Sequence, residues 1–310
     1  MNSLPKATVL LSIYKPDETF FRKQLASLEN QDYKNVEVFI WDDYPAEDYS
    51  TEIANILKKT PYTYTKCDEN LGYIKAFAHM VEAAEGDFFA FCDQDDFWEP
   101  QKLSRSIEEL QKQDAILATS ARMIIDENDD IVIPNLHQQS SSPKEIWQTG
   151  DDISCNSVFT CYALGMTIVL RAEAAKQMLP FSLNTGHDKW STMCAAAMGK
   201  VLFIDDVLQR YRHHSTNVSG ALNFIKEKSE YYEWRVGCAY ALAQELITKF
   251  PNHPQKERIL AFANARKDKN VIQLFKLRAI APQIAKFEIL LKFMPAWGFR
   301  LVRKIIRGRH

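Results

Sequence analysis

Apolar residues recur along the first third of the chain in two rhythms. Short β-rich runs at 9–14, 36–41, 62–65 and 88–92 read as strands. Between the first two, Phe20, Phe21, Leu25 and Leu28 fall at helical spacing within residues 17–30. Further helices are predicted near 49–59 and from Asn70-Leu71-Gly72 to Ala84. Strands alternating with helices in this way predict βαβ units, hence an α/β fold with a mostly parallel central sheet. After a helix at 100–112, runs at 115–125 and 131–133 flank Asp126-Glu127-Asn128-Asp129-Asp130, which predicts a hairpin with an acidic turn. Residues 134–152 are polar and read as a loop. A strand is expected at 164–170, a short helix at 172–178, a helix at 188–198 and a final strand at 201–204. From residue 221 onward strand signals vanish and the pattern is helical.

In a parallel sheet, ligands bind beyond the carboxyl ends of the strands. Tyr14, Asp42-Asp43 and Asp93-Gln94-Asp95-Asp96 all fall at such ends. The last of these packs three carboxylates into four positions directly after the run 88–92. Like charges this close are costly unless a cation or hydrogen-bonded ligand neutralises them. Oxygen-only ligands suit a hard divalent ion, Mg2+ or Mn2+, that shares its shell with phosphates. The alternative is a solvated acidic turn.

With 310 residues and 46% hydrophobic content, the chain can bury one large core or two smaller ones. The net charge of −2 hides an asymmetry: residues 266–310 hold twelve Lys or Arg against Asp268 and Glu288 alone. Such a basic stretch implies an anionic partner. The six cysteines have no paired spacing, so they read as thiols of a reducing compartment. No signal-peptide pattern opens the chain and no run reaches the roughly 18 apolar residues of a spanning helix, so a cytoplasmic location is expected.

Leu11-Ser12-Ile13-Tyr14, Trp41-Asp42-Asp43, Asn70-Leu71-Gly72, Asp93-Gln94-Asp95-Asp96, His187-Asp188 and the segment from Tyr211 to Asn217 follow the order found in family 2 glycosyltransferases. The chain resembles that family over residues 7–220, and within it the bacterial rhamnosyltransferases, whose acidic motif is D-Q-D-D before an aromatic. The resemblance implies a GT-A fold and inverting sugar transfer from a nucleotide-sugar, with residues 1–113 as nucleotide-binding half, 114–220 as acceptor half and 221–310 as a basic helical region. It assigns nucleotide-sugar contacts to Ile13, Tyr14, Asp42, Asn70, Lys75, Asp93 and Gln94. It assigns a Mn2+ or Mg2+ ion to Asp93, Asp95 and His214, and the base that deprotonates the acceptor to Asp188. His187 and Trp98 are candidates for contacting the acceptor. For Asp42 and Asp188 the alternative role is a helix N-cap. The family's usual D-D-G-S loop is here Asp43-Tyr44-Pro45-Ala46, and its usual asparagine after Tyr14 is Lys15.

The implied reaction is transfer of L-rhamnose from dTDP-rhamnose to a saccharide or lipid-linked saccharide of the cell surface. UDP-Glc, UDP-Gal or UDP-GlcNAc are the alternative donors, and a non-catalytic nucleotide- or saccharide-binding protein is the alternative class. The mixture of apolar and basic residues at 271–306 suits an anionic membrane surface on the inner face of the cell membrane. A helical hairpin packed on the catalytic part, or an oligomer interface, would have the same pattern. Nucleic acid is not an expected partner, because no reading motif accompanies the charge.

Overall fold

A computed structural model of the protein describes residues 4–140, 147–213 and 225–307. These form two compact units, one from residues before 152 together with 161–213, the other from 152–160 together with the residues from 225 onward. The short segment 152–160 therefore belongs with the helical part rather than with the acceptor half expected from sequence.

The first unit holds, in chain order, β1 (Ala7–Ile13), α1 (Glu18–Glu29), β2 (Val36–Asp42), α2 (Ser50–Ile56), β3 (Tyr62–Lys66), α3 (Tyr73–Ala83), β4 (Phe88–Cys92), β5 (Phe97–Trp98), α4 (Lys102–Lys112), β6 (Leu117–Ile125), β7 (Ile131–Ile133), α5 (Leu136–Gln139), β8 (Val169–Arg171), α6 (Ala172–Gln177), α7 (His187–Met198) and β9 (Val201–Arg212). The sheet runs β3-β2-β1-β4-β8-β6-β9-β5, with β7 paired to β6. β1 sits parallel between β2 and β4. Its near-continuous apolar sequence follows from burial on both faces. Helix α1 starts where the Asp17 carboxylate accepts the Thr19 and Phe20 N–H groups, and it buries Phe21, Leu25 and Leu28. These join Val9, Leu11, Val38, Ile40, Phe88 and Ala90 in one core.

Three expectations give way. The run at 164–170 is a 3-10 turn (Gly165–Thr167) followed by β8. Within the loop expected at 134–152, α5 forms a single turn. The final strand does not stop at residue 204 but continues as β9 to Arg212. Its pairing with β6 jumps from Ser120↔Ile204 to Ala121↔Val207, so Asp205 and Asp206 bulge out, exposed. That bulge breaks the alternation that signals a strand.

The second unit is helical: α8 (Lys228–Glu230), a π-helical turn (Tyr231–Val236), α9 (Gly237–Lys249), α10 (Lys256–Lys267), α11 (Val271–Lys276), α12 (Pro282–Phe293) and α13 (Ala296–Arg307). Phe159 packs edge-on against Phe262, which ties 152–160 into it. Buried Arg266 reaches Glu288 with Nε and Nη2 at 2.7–3.1 Å, and the Tyr231 hydroxyl donates to the same carboxylate. Among the described residues no helix is long and apolar enough to cross a membrane.

Candidate active site

The carboxyl ends of the neighbouring strands β1, β2 and β4 lie side by side, and side chains just past them tie this end of the sheet together. Gln94, just past β4, clamps the backbone past β1: the Tyr14 N–H donates to its Oε1 at 2.7 Å and its Nε2 donates to the Tyr14 carbonyl at 3.1 Å. Asp43, just past β2, is buried and accepts the Leu71 and Gly72 N–H groups, both at 2.8 Å. Asn70 returns the contact by donating to the Asp43 carbonyl. These bonds shape the turn that opens α3, where Gly72 takes a φ of 74° that disfavours any residue with a Cβ.

Tyr14 is exposed at this end and meets Tyr44 edge-on at 5.5 Å, with the Lys15 ammonium 4.7 Å above the Tyr44 ring. Lys75 is exposed in the first turn of α3. Ile13 does not face this end. Its side chain lies in the core and its carbonyl accepts the Asp43 N–H. Asp42 also has no exposed surface: Tyr64 donates its hydroxyl to Oδ2 at 2.6 Å and the Tyr44 N–H reaches Oδ1 at 3.0 Å. A direct contact from Asp42 to a base, as expected from sequence, is closed off in this conformation.

Asp93 and Asp95 are half-buried and Asp96 is fully buried. Burial, then the Asp95 and Asp188 carboxylates, push the Asp93 carboxyl up to about 7. Asp96 is also raised, by burial and then by the Asp95 and Asp93 carboxylates, while its Oδ1 accepts the Arg212 N–H. Asp188, at the start of α7, accepts N–H bonds from Lys189 and Gly165, yet burial raises its carboxyl above the usual range. Two glycines leave room here. A Cβ on Gly186 would lie 2.5 Å from Asp188 Oδ1, and one on Gly165 would lie 2.8 Å from His187 Nε2 and 3.9 Å from Asp93 Oδ2.

Two expected acceptor contacts are corrected. His187 is buried, stacked on Phe77 at 3.9 Å with its edge to Phe91, and burial lowers it to about 3. Trp98 has no exposed surface. It pairs through β5 with β9, its backbone N–H donates to Ser27 Oγ, and its ring lies 4.6 Å below the Lys102 ammonium. Both rings serve packing.

Asp43, Arg212, Gly165 and Lys102 carry site geometry without having been given a role from sequence. Asp43 and Arg212 left a trace, as members of the Trp41-Asp42-Asp43 motif and of the segment from Tyr211 to Asn217, and the other two left none. Lys102 is buried, donates to the Met166 carbonyl and Gln209 Oε1, and is lowered by burial to about 7.

His214, Asn217 and Gly220 lie outside the described residues. Among the described residues no three His, Cys, Asp or Glu side chains are grouped to hold a metal. Asp93 and Asp95 still fit a hard cation: both offer carboxylate oxygen, one residue apart on the loop after β4, and neither is fully buried.

In an α/β sheet the crevice beyond the carboxyl ends of the strands is where ligands bind. The sequence pattern of glycosyl transferase family 2 matches residues 8–172, and the chain belongs to that family. The UDP-Glc:alpha-D-GlcNAc-diphosphoundecaprenol beta-1,3-glucosyltransferase WfaP of Escherichia coli is 28% identical over 221 residues, 71% of this chain and 81% of WfaP. Among solved structures, S. aureus TarS 1-349 in complex with UDP-GlcNAc aligns with a TM-score of 0.64 at 17% identity, covering 93% of this chain and 86% of that one. The mannosyltransferase PcManGT from Pyrobaculum calidifontis, in complex with GDP-Man and Mn2+, aligns at 0.55 and 16% identity, covering 97% and 85%. These likenesses establish the GT-A-like fold with its C-terminal helices. The chain spans about two thirds of the length of several curated relatives that it matches along most of itself.

Proposed function

We propose that the chain is a metal-dependent inverting glycosyltransferase that moves a sugar from a nucleotide donor to a saccharide or lipid-linked saccharide of a cell-surface polysaccharide. The observation that carries this reading is the meeting of Asp93 with both Asp95 and Asp188 at the carboxyl end of β4. Asp93 and Asp95, with His214, would hold Mn2+ or Mg2+, which supplies charge neutralisation to the departing diphosphate. The remaining work falls to the chain itself. Tyr14, Lys75 and the turn at Asn70 face the donor, while Gln94 keeps the end of β1 and the acidic loop in register. Asp188 takes the proton of the acceptor hydroxyl as that oxygen attacks the anomeric carbon. The bond from that carbon to the diphosphate breaks on the opposite face, and its electrons leave with the phosphate. Burial raises the Asp188 carboxyl, which makes it a stronger base when ionised.

The acidic motif followed by Phe97 supports dTDP-L-rhamnose as donor. A UDP-linked hexose (Glc, GlcNAc or Gal) is a second reading, favoured by the donors of WfaP and TarS. The exposed stripes Lys286, Leu290, Phe293 on α12 and Trp297, Arg300, Leu301, Lys304 on α13 support a peripheral contact of 266–310 with an anionic membrane.

Nucleotide release from dTDP-rhamnose, UDP-Glc, UDP-Gal and UDP-GlcNAc, each with Mn2+ or with chelator, tests the reading. One donor turned over only with metal is the expected result. Metal-dependent binding with no turnover of any donor would favour the non-catalytic class.

A further inference from the structure

Arg212, the last residue of β9, has no exposed surface, yet the transfer chemistry gives it no role. Its backbone N–H donates to Asp96 Oδ1 at 3.1 Å and its Nε donates to the Asp95 carbonyl at 3.0 Å. Its Nη1 turns away, donating to the Asp126 carbonyl at 3.0 Å and to Asp129 Oδ1 at 2.6 Å. The Phe20 ring of α1 lies 4.3 Å from the guanidinium carbon. One planar fork thus joins the acidic loop after β4 to the turn between β6 and β7.

That turn is itself built to hold still. Asp126 Oδ1 accepts the Asn128 and Asp130 N–H groups at 2.8 and 2.9 Å, and Asp129 takes a φ of 70°. Lys23, projecting from α1, pairs with the other oxygen of Asp129. Asp129 is therefore gripped from two sides, and it presents a fixed carboxylate to a buried guanidinium. Such a guanidinium is held by its hydrogen-bond geometry as much as by charge, because a planar fork admits few orientations.

We propose that Arg212, anchored by Asp129, is the positioning residue of the acidic loop. It fixes the backbone of Asp95 and the carboxylate of Asp96 from behind, so that the side chains of Asp93 and Asp95 are presented towards the donor. The proposal rests on the metal-site reading of that loop for its consequence, but not for its structural core. It gives the acidic hairpin turn, through one guanidinium, an influence on metal affinity. Outer partners that orient metal ligands usually affect affinity by about 10- to 100-fold.

Asp129→Asn is the informative substitution, because asparagine tolerates the left-handed turn while losing the charge. Two readouts separate the claims. Hydrogen exchange of the metal-free protein reports the brace alone: amides of 94–97 should exchange about tenfold faster in the variant, with those of β1 and α4 unchanged. Mn2+ affinity, measured with UDP and separately with dTDP, should fall by roughly tenfold in the variant and be restored in part by Asp129→Glu. Lys23→Met, which removes one grip on Asp129, should shift both readouts in the same direction by less, and it decides the matter if Asp129→Asn folds poorly. Unchanged exchange at 94–97 would overturn the brace. Faster exchange with unaltered Mn2+ affinity would overturn its effect on the metal site. Wild-type protein that binds neither nucleotide better with Mn2+ would sink the metal reading, while the exchange result would still decide the brace.

Discussion

At the scale of single residues, the proposed reading divides the chemistry between the acidic loop and Asp188. In the proposed site protons would compete with a cation for Asp93, whose carboxyl is pushed up to about 7, so Mn2+-dependent nucleotide binding should weaken as pH falls through that value. A calorimetric titration at pH 6 and pH 8 checks it, and equal affinities would remove Asp93 from the metal shell. His187 gives the opposite kind of prediction. Its folded-state pKa lies below its unfolded value, so the unfolded chain takes up the proton first. The stability it contributes is present above about 6.5 and is lost as pH falls from there towards about 3. His187→Phe should flatten that loss in a thermal-melt series and leave the acceptor KM unchanged; a raised KM would restore the acceptor contact. The carboxylates were legible in sequence because charge crowding after a buried run is conspicuous. His187 and Trp98 were misread because sequence shows an aromatic or imidazole beside a motif but not the direction in which it points. Phe77 and Phe91 claim the former, and Lys102, its ammonium over the indole, the latter.

At the scale of elements, the turn entering α3 depends on one carboxylate. Asp43→Ala would strand the Leu71 and Gly72 N–H groups at the positive end of the helix, where unmade bonds cost about 1–3 kcal/mol. A lowered melting temperature together with a raised donor KM is the expected pair of results. A stability loss without the KM change would separate that turn from donor binding. The alternating βαβ elements up to β4 follow the hydrophobic rhythm most plainly at β1 and β4, which are enclosed on both faces, whereas β3 lies at the edge of the sheet and is largely exposed. The rhythm fails at β9, where Asp205 and Asp206 bulge and hide the six residues of strand beyond them. That hidden length places Arg212 beside the acidic loop, so a misjudged strand end also concealed a positioning residue. The 3-10 turn at Gly165 was equally hidden, since its use lies in absent atoms that admit His187.

At the scale of the whole molecule, a near-neutral chain carries a cationic helical unit whose α12 and α13 expose Leu290, Phe293, Trp297 and Leu301 beside Lys and Arg. Sedimentation with vesicles should show binding to phosphatidylglycerol-containing bilayers, little to phosphatidylcholine alone, and loss of binding at high salt. Binding indifferent to lipid charge would point instead to an interface between proteins. The central claim is that leaving-group support and proton abstraction reside on different carboxylates: Asp93 and Asp95 on one side, Asp188 on the other. The most direct test compares Asp188→Asn with wild type, measuring transfer rate and Mn2+-dependent nucleotide affinity in the same preparation. The account predicts a rate about 10²- to 10⁴-fold lower with affinity unchanged. A variant that transfers sugar at the wild-type rate, or one that loses nucleotide affinity in step with rate, would contradict it.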